Sequence, residues 1–508
     1  MGTNIESVLP RRDFIKLAGL TGAALTSARF LNMAKAVSTL ASPAPVGGKA
    51  DYTVRIGTGL IELAPNQIIS TTLYNGQFPG PLLRFKEGQP VIVDIINDTN
   101  TPEQFHWHGQ MVPVDVDGAA EEGTPYIPAH GMRRLQFTPR PVGFRFYHTH
   151  LTPRDDLSLG QYTGQVGPVY IEPHRESGAH DQEIFLTLKE FGPVFSRGGD
   201  MAMDFLAGEE IESLKNTGEA AMKAPLAAGM PRGYEVSYSL FSINGRMLGH
   251  GEPIRVKQGQ RLLLHVLNGS ATEIRSLALP HHRFKIVALD GNPVPNPVEV
   301  PVLWLGTAER ISAIVEMNHP GVWILGDTSE DDRKHGMGVV VEYASKSGKP
   351  IWIKPPNPKW DYTQFALPNA TANTPDETIE MTFAKRNAAN NGFNLWTING
   401  TPFSMEKMQP IFSIHEGKRY RLRMRNQSDD IHPVHLHRHS FELTKIAGKN
   451  TAGIIKDVVM LGGYQEVEVD FTADNPGLTL FHCHQQVHMD FGFMALFNYA
   501  RANHQASV

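Results

Sequence analysis

The chain holds a single cysteine, Cys483, so no disulfide can form within it. No run of 18 or more residues is continuously apolar, which excludes an ordinary membrane-spanning helix. Charge of one sign is not concentrated anywhere. The 47 basic and 52 acidic residues give a net charge of −5 without a block of either, so the footprint of a nucleic-acid partner is missing. Long segments with a 3.6-residue apolar period are scarce, which argues against α/β folds. Glycine (47), proline (36) and histidine (22) are plentiful. The first two suit many short strands joined by turns. With 508 residues, 41% of them hydrophobic, the chain is long enough for several buried cores.

The N-terminus reads as a targeting segment. Arg11-Arg12-Asp13-Phe14-Ile15-Lys16 precedes a short, weakly apolar stretch from Leu17 to Ala28, and Ala34-Lys35-Ala36 offers a cleavage site. The pattern resembles a bacterial Tat signal. It implies a passage through the Tat export machinery, residues 1–45 as signal and linker, and a periplasmic or extracellular mature protein with no stable membrane anchor.

Beyond it, one pattern occurs three times: a strand opened by Gly and closed by Asn nine residues later. The copies are Gly88–Asn97, Gly259–Asn268 and Gly417–Asn426. A second pattern, Pro and Gly before an apolar strand, also occurs three times, at Pro141–Tyr147, Pro320–Leu325 and Pro476–Phe481. These repeats predict an all-β chain of three similar Greek-key β-sandwich domains. Their limits are 50–175, 182–345 and 360–500, with a Pro- and Lys-rich connector from Ser345 to Trp360. Residues 193–232 read as an insertion with helix-like stretches.

The histidines fall on this repeat. Nine and eleven residues after the Asn stand His106 and His108 in the first copy, and His435 and His437 in the third. The second copy has Leu277 and Leu279 there. Five and seven residues after the Gly of the second pattern stand His148 and His150, then His482 and His484; the middle copy has Gly326 and Thr328. Residues i and i+2 of a strand face the same side, so each pair presents two imidazoles to one place. Eight imidazoles from two like domains exceed the needs of one zinc and suit a cluster of several metals. Cys483, between His482 and His484, faces the other side of its strand. With His432 and His488 it makes a thiolate–imidazole set of the blue-copper type.

The motifs His106-Trp-His-Gly109, Tyr147-His-Thr-His150, His432-Pro-Val-His-Leu-His437 and His482-Cys-His-Gln-Gln-Val-His488 resemble those of the multicopper oxidase family, in its order, and in particular the three-domain laccase-like members. The resemblance implies cupredoxin-like domains and four copper ions. Carried over, it gives His432, Cys483 and His488 to the type 1 copper and His106 and His435 to the type 2 copper. The type 3 pair falls to His108, His148, His150, His437, His482 and His484. It implies that electrons from a small reducing substrate enter at type 1 and that O₂ becomes water at the other three coppers. The axial type 1 position falls on Phe493 where the family often has Met, which implies a high potential; Met494 should point away. Asp117 resembles the family's carboxylate near type 2. Many bacterial relatives have Glu directly after the last type 1 His; Met489 stands there, leaving Asp490 as the candidate for a second proton route.

Three functions compete. A laccase-type oxidase of phenols and aromatic amines is favoured by the expected high potential. A metallo-oxidase acting on Cu(I), Fe(II) or Mn(II) would draw on methionines, but Met381, Met405, Met408 and Met424, and Met201, Met203, Met222 and Met230 of the insertion, are scattered. A copper-free envelope protein would have lost ligands, whereas all eleven stand in this one chain. A monomer is therefore sufficient.

Overall fold

The computed structural model describes residues 47–174, 180–196, 233–356 and 360–500. The export-signal reading and most of the insertion, including its four methionines, lie outside the described residues. Of the insertion's ends, Val194–Ser196 pairs antiparallel with Glu235–Ser237, so the chain leaves and returns as a two-stranded ribbon.

The described chain is all-β, and one arrangement recurs three times. Each Gly-to-Asn strand lies between a parallel and an antiparallel neighbour. Val91–Asn97 lies between Tyr52–Ala64 and Met132–Phe137, and Arg261–Asn268 between Gln182–Phe191 and Arg310–Glu316. Arg419–Asn426 lies between Glu377–Asn390 and Glu466–Thr472. A facing sheet is built in each case around the Pro-Gly strand. Gly143–His148 is flanked by Val166–Glu172 and His106–His108, and Val322–Asp327 by Gly338–Tyr343 and Arg275–Ala278. Thr479–Cys483 is flanked by Met494–Tyr499 and His432–Leu436. In each sandwich the chain opens and closes with strands that stay in one sheet, and between them it crosses back and forth between the facing sheets, as in a Greek key. One apolar cluster runs through the second and third sandwiches; the first has its own, around Trp107 and Tyr147.

The repeated Asn has a physical task. Its amide donates to carbonyls on both sides of the next strand of the facing sheet. The acceptors are Thr101 (2.8 Å), Pro128 (3.1 Å) and Ile127 (3.2 Å) for Asn97, Glu273 (2.8 Å) and Leu305 (3.0 Å) for Asn268, and Asp430 (2.7 Å) and Gly462 (3.0 Å) for Asn426. Each side-chain oxygen accepts the N–H two residues on, from Thr99, Ser270 or Ser428. The turn after the strand is thus pinned to a fixed length, which sets the nine-residue spacing to His106 and His435.

Asn268 lies in the sandwich without histidine pairs, so its role is measurable apart from metal. Asn268→Ala removes both donors and strands two carbonyls. The expected cost is about 2–4 kcal/mol, read as a lower midpoint of thermal or denaturant unfolding.

Candidate metal centre

The strand pairings bring the histidines together. His106 stands opposite His148 and His435 opposite His482, each in direct cross-strand register. The first and third sandwiches meet across these pairs: the rings of His106 and His437 stack at 4.1 Å, and those of His108 and His435 at 3.8 Å. All eight side chains are buried. Burial, reinforced by the neighbouring imidazoles, holds His108, His148, His435, His437, His482 and His484 well below the ordinary imidazole range. These rings are neutral, the form that binds a metal.

Their hydrogen bonds decide which nitrogen faces inward. The Nδ1–H of His106 donates to the carbonyl of Asp117, that of His148 to Thr149, that of His435 to Asp457 and that of His482 to Cys483. The Nδ1–H of His437 donates to the Asp117 carboxylate at 2.9 Å. In His437 and His482, therefore, both Nε2 atoms are unprotonated. Yet they face each other at 3.0 Å. Two lone pairs in contact repel, and a cation between them resolves the repulsion. The inward nitrogens of His106 and His435 (Nε2) and of His108 (Nδ1) have no partner at all. The set His150–His437–His482 and the set His106–His435–His437 each bring one nitrogen per residue within 4.8 Å of the others.

Asp117 ends the short helix Val114–Asp117, and its carboxylate lies 3.0 Å from His106 Nδ1 as well as bonding His437. One residue of the first sandwich thus orients imidazoles of two sandwiches. Gly118 makes this possible. It sits at φ +97°, and a Cβ there would come 1.9 Å from the Phe105 carbonyl. Two neighbouring carboxylates carry no signature in the sequence. Glu121 faces His150 Nδ1 at 3.3 Å, and Glu122 accepts from Leu480 N at 2.6 Å beside Arg438. Asp490 does not reach the imidazoles. It accepts from Gln486 and from the Arg154 N–H on the wall of a cavity of about 540 Å³, and burial pushes its carboxyl well above the usual range.

The second group lies on the other face of the Thr479–Cys483 strand. Cys483 Sγ is 3.6 Å from His432 Nδ1 and 3.5 Å from His488 Nδ1, and these two nitrogens are 3.2 Å apart. Three donors around one metal at about 2.0–2.3 Å stand roughly 3.5 Å from one another, so the triangle has nearly the size of a trigonal site. His432 Nε2 donates to Ser428 Oγ, which leaves Nδ1 as the lone pair. His488 Nε2 faces Glu235 at 3.7 Å. Burial alone would lower His488, but the sulfur and Glu235 outweigh it and raise the ring to about 10. The Phe493 ring packs 4.7 Å from His432, while Met494 joins Leu480 and Met489 in a separate apolar cluster on the opposite face. Trp396, which the sequence did not single out, covers both rings, 4.8 Å from His432 and 4.3 Å from His488. His439 braces the His437 carbonyl and bonds Tyr499, and His282 bonds Tyr343 and the Pro280 carbonyl.

Fold and site define a copper-binding oxidoreductase of the cupredoxin type. Sequence profiles described as multicopper oxidase match residues 58–176, 212–342 and 372–503. The chain belongs to the multicopper oxidase family: copper-dependent oxidoreductases that use O₂. It is 28% identical over 444 residues to multicopper oxidase MmcO of Mycobacterium tuberculosis, covering 85% of this chain and 84% of that one. It is 25% identical over 461 residues to bilirubin oxidase of Albifimbria verrucaria (84% and 72%). A solved multi-copper oxidase from Pseudomonas thermotolerans shares the fold, with a TM-score of 0.65 at 23% identity (89% and 100%).

Two measurements follow from this geometry. Asp117→Asn should weaken copper retention by about 10–100-fold, read as copper per protein after dialysis against a chelator. Glu103 is buried beside Thr149 and Gln165, and burial raises its carboxyl from 4.5 to about 7. The folded state then binds the proton more tightly than the unfolded chain. Its contribution is complete below about 4.5 and is lost as pH rises through about 7. Unfolding midpoints of Glu103→Gln and the parent should therefore diverge in the variant's favour between pH 5 and 8, by up to about 3 kcal/mol.

Proposed function

We propose that the protein is a laccase-type oxidase that takes single electrons from phenols and aromatic amines. In this reading His432, Cys483 and His488 hold a type 1 copper and His106 and His435 a type 2 copper. His108, His148, His150, His437, His482 and His484 hold a type 3 pair, making four copper ions in all. Bound copper supplies one-electron acceptance at the cysteine site and four-electron reduction of O₂ to water at the histidine cluster. The same reading takes 50–175, 182–345 and 360–500 as the three domains, and residues 1–45 as a Tat signal that directs the protein out of the cytoplasm. No helix among the described residues is long and apolar enough to cross a membrane.

The observation that carries the laccase reading is Phe493. Its buried ring occupies the surroundings of the cysteine site with an apolar group and no thioether. Without that donor the oxidised copper is less stabilised, and the site draws electrons even from weak reductants. Met381 and Met424, which pair in register inside the third sandwich, are buried and cannot hand a metal ion in from solvent. Cys483 links the two groups covalently, because His482 and His484 are its chain neighbours. Asp117, set between imidazoles of two sandwiches, is the carboxylate best placed to pass protons to the cluster, and Asp490 is the second candidate at the cavity wall.

One observation favours metallo-oxidation of Cu(I), Fe(II) or Mn(II) instead. Glu235 places a carboxylate beside His488, and an anion at the electron-entry edge attracts cationic reductants. O₂ uptake with a phenol, ABTS, Cu(I), Fe(II) and Mn(II) side by side separates the two. Fast uptake on the phenol supports the laccase reading; uptake on metal ions alone rejects it. Phe493→Met should lower the type 1 potential by on the order of 60 mV, a tenfold change in the one-electron equilibrium, as measured by redox titration of the blue band.

A further inference from the structure

The middle sandwich carries none of the eleven donors, yet two of its side chains, Arg310 and Asp290, bond the residue that orients two of them. Arg310 opens the strand Arg310–Glu316 and is completely buried. Its guanidinium grips Asp457 with both ends, Nη1 to Oδ1 at 2.7 Å and Nη2 to Oδ2 at 2.6 Å. The remaining donors go to the carbonyls of Ala308, Phe144 and Asp290, so the whole fork is used. Arg145 of the first sandwich adds a third bond to Asp457, at 3.2 Å.

Asp457 in turn holds two imidazoles. Its carboxylate accepts from His108 Nε2 at 3.1 Å, and its backbone carbonyl accepts from His435 Nδ1 at 2.7 Å. The consequences for the two rings are opposite. His108 turns its Nδ1 lone pair inward and His435 its Nε2 lone pair, and both inward atoms lack any protein partner. His106, His148, His437 and His482 all turn Nδ1 outward, so His108 depends on Asp457 for its reversed orientation. Space around the clamp is closed. Gly109, the residue after His108, has φ +76°, and a Cβ there would lie 2.6 Å from Asp457 Oδ2 and 2.7 Å from Arg310 Nη2. That contact explains the Gly of the His-Trp-His-Gly motif.

We infer that Arg310 is a positioning residue for the copper cluster: by clamping Asp457 it fixes which nitrogen His108 and His435 present. The inference rests on the proposed assignment of those histidines to copper. It gives the metal-free sandwich a chemical part beyond joining its neighbours.

The test compares the copper-loaded full-length parent with Arg310→Lys, Arg310→Met and Glu309→Gln. Glu309 belongs to the same buried junction, bonding Lys456, Tyr362 and Gly306, but touches neither Asp457 nor a histidine. Copper retained against a chelator and the type 2 EPR signal are read, with the blue type 1 band as internal reference. Arg310→Lys keeps the charge and the stem but not the fork. It should keep the blue band while cluster copper binds about 10–100-fold more weakly with an altered type 2 signal. Glu309→Gln should lose thermal stability and leave that signal as in the parent. If Arg310→Met does not fold, the lysine variant decides. Cluster retention within twofold of the parent and an unchanged signal in Arg310→Lys would overturn the inference, as would an equal change in Glu309→Gln. A parent that binds no copper at the eight histidines overturns the functional reading, and this inference with it.

Discussion

In the proposed reading eight buried imidazoles must each point a bare nitrogen at one shared space, and two more at a second space beside Cys483, and much of what surrounds them follows from that demand. A neutral ring has one N–H and one lone pair. Turning the lone pair inward turns the N–H outward, into buried surroundings. An outward N–H buried there is costly without an acceptor, and for six of the eight cluster rings the fold places one. Carbonyls of the ligand strands serve where the chain is already present, as at Thr149 and Cys483. Where it is not, a carboxylate arrives from another sandwich: Asp117 for His437, and Asp457 for His108.

Those carboxylates create the next demand. A buried charge without a partner is costly, and here Arg145 and Arg310 are buried against Asp457, and Arg438 against the neighbouring Glu122. Lys456 and Asp290 extend the network into the middle sandwich. The metal centre and the packing of the three sandwiches are thus one system. By the inference drawn above, a change at Arg310 is felt as the orientation of His108 and His435.

Much of this was legible in the sequence. The three-fold repeat of Gly–Asn and Pro–Gly strands gives the all-β architecture, because turn residues and strand period survive in the order of amino acids. Two-residue spacing places His106 with His108 and His482 with His484 on one face, and puts Cys483 on the other. Local spacing likewise separates Phe493 from Met494. Less visible was the distinction between Asp117, which meets two imidazoles, and Asp490, which meets Gln486 and the Arg154 backbone. Both are acids a short step from a ligand. Only Lys456-Asp457, two charges embedded in the apolar run Ile454–Leu461, hinted at a buried ion network.

What the sequence determined by itself is whatever strand geometry and short spacing carry: the fold class, the repeat, and which donors share a face. Tertiary structure alone decided the partners that come from far along the chain: Asp457 for His108, Arg310 for Asp457 and Glu235 against His488. No period links residues a hundred or more positions apart. They meet because three sandwiches close on one another, and the low-dielectric interior then makes each of those meetings count.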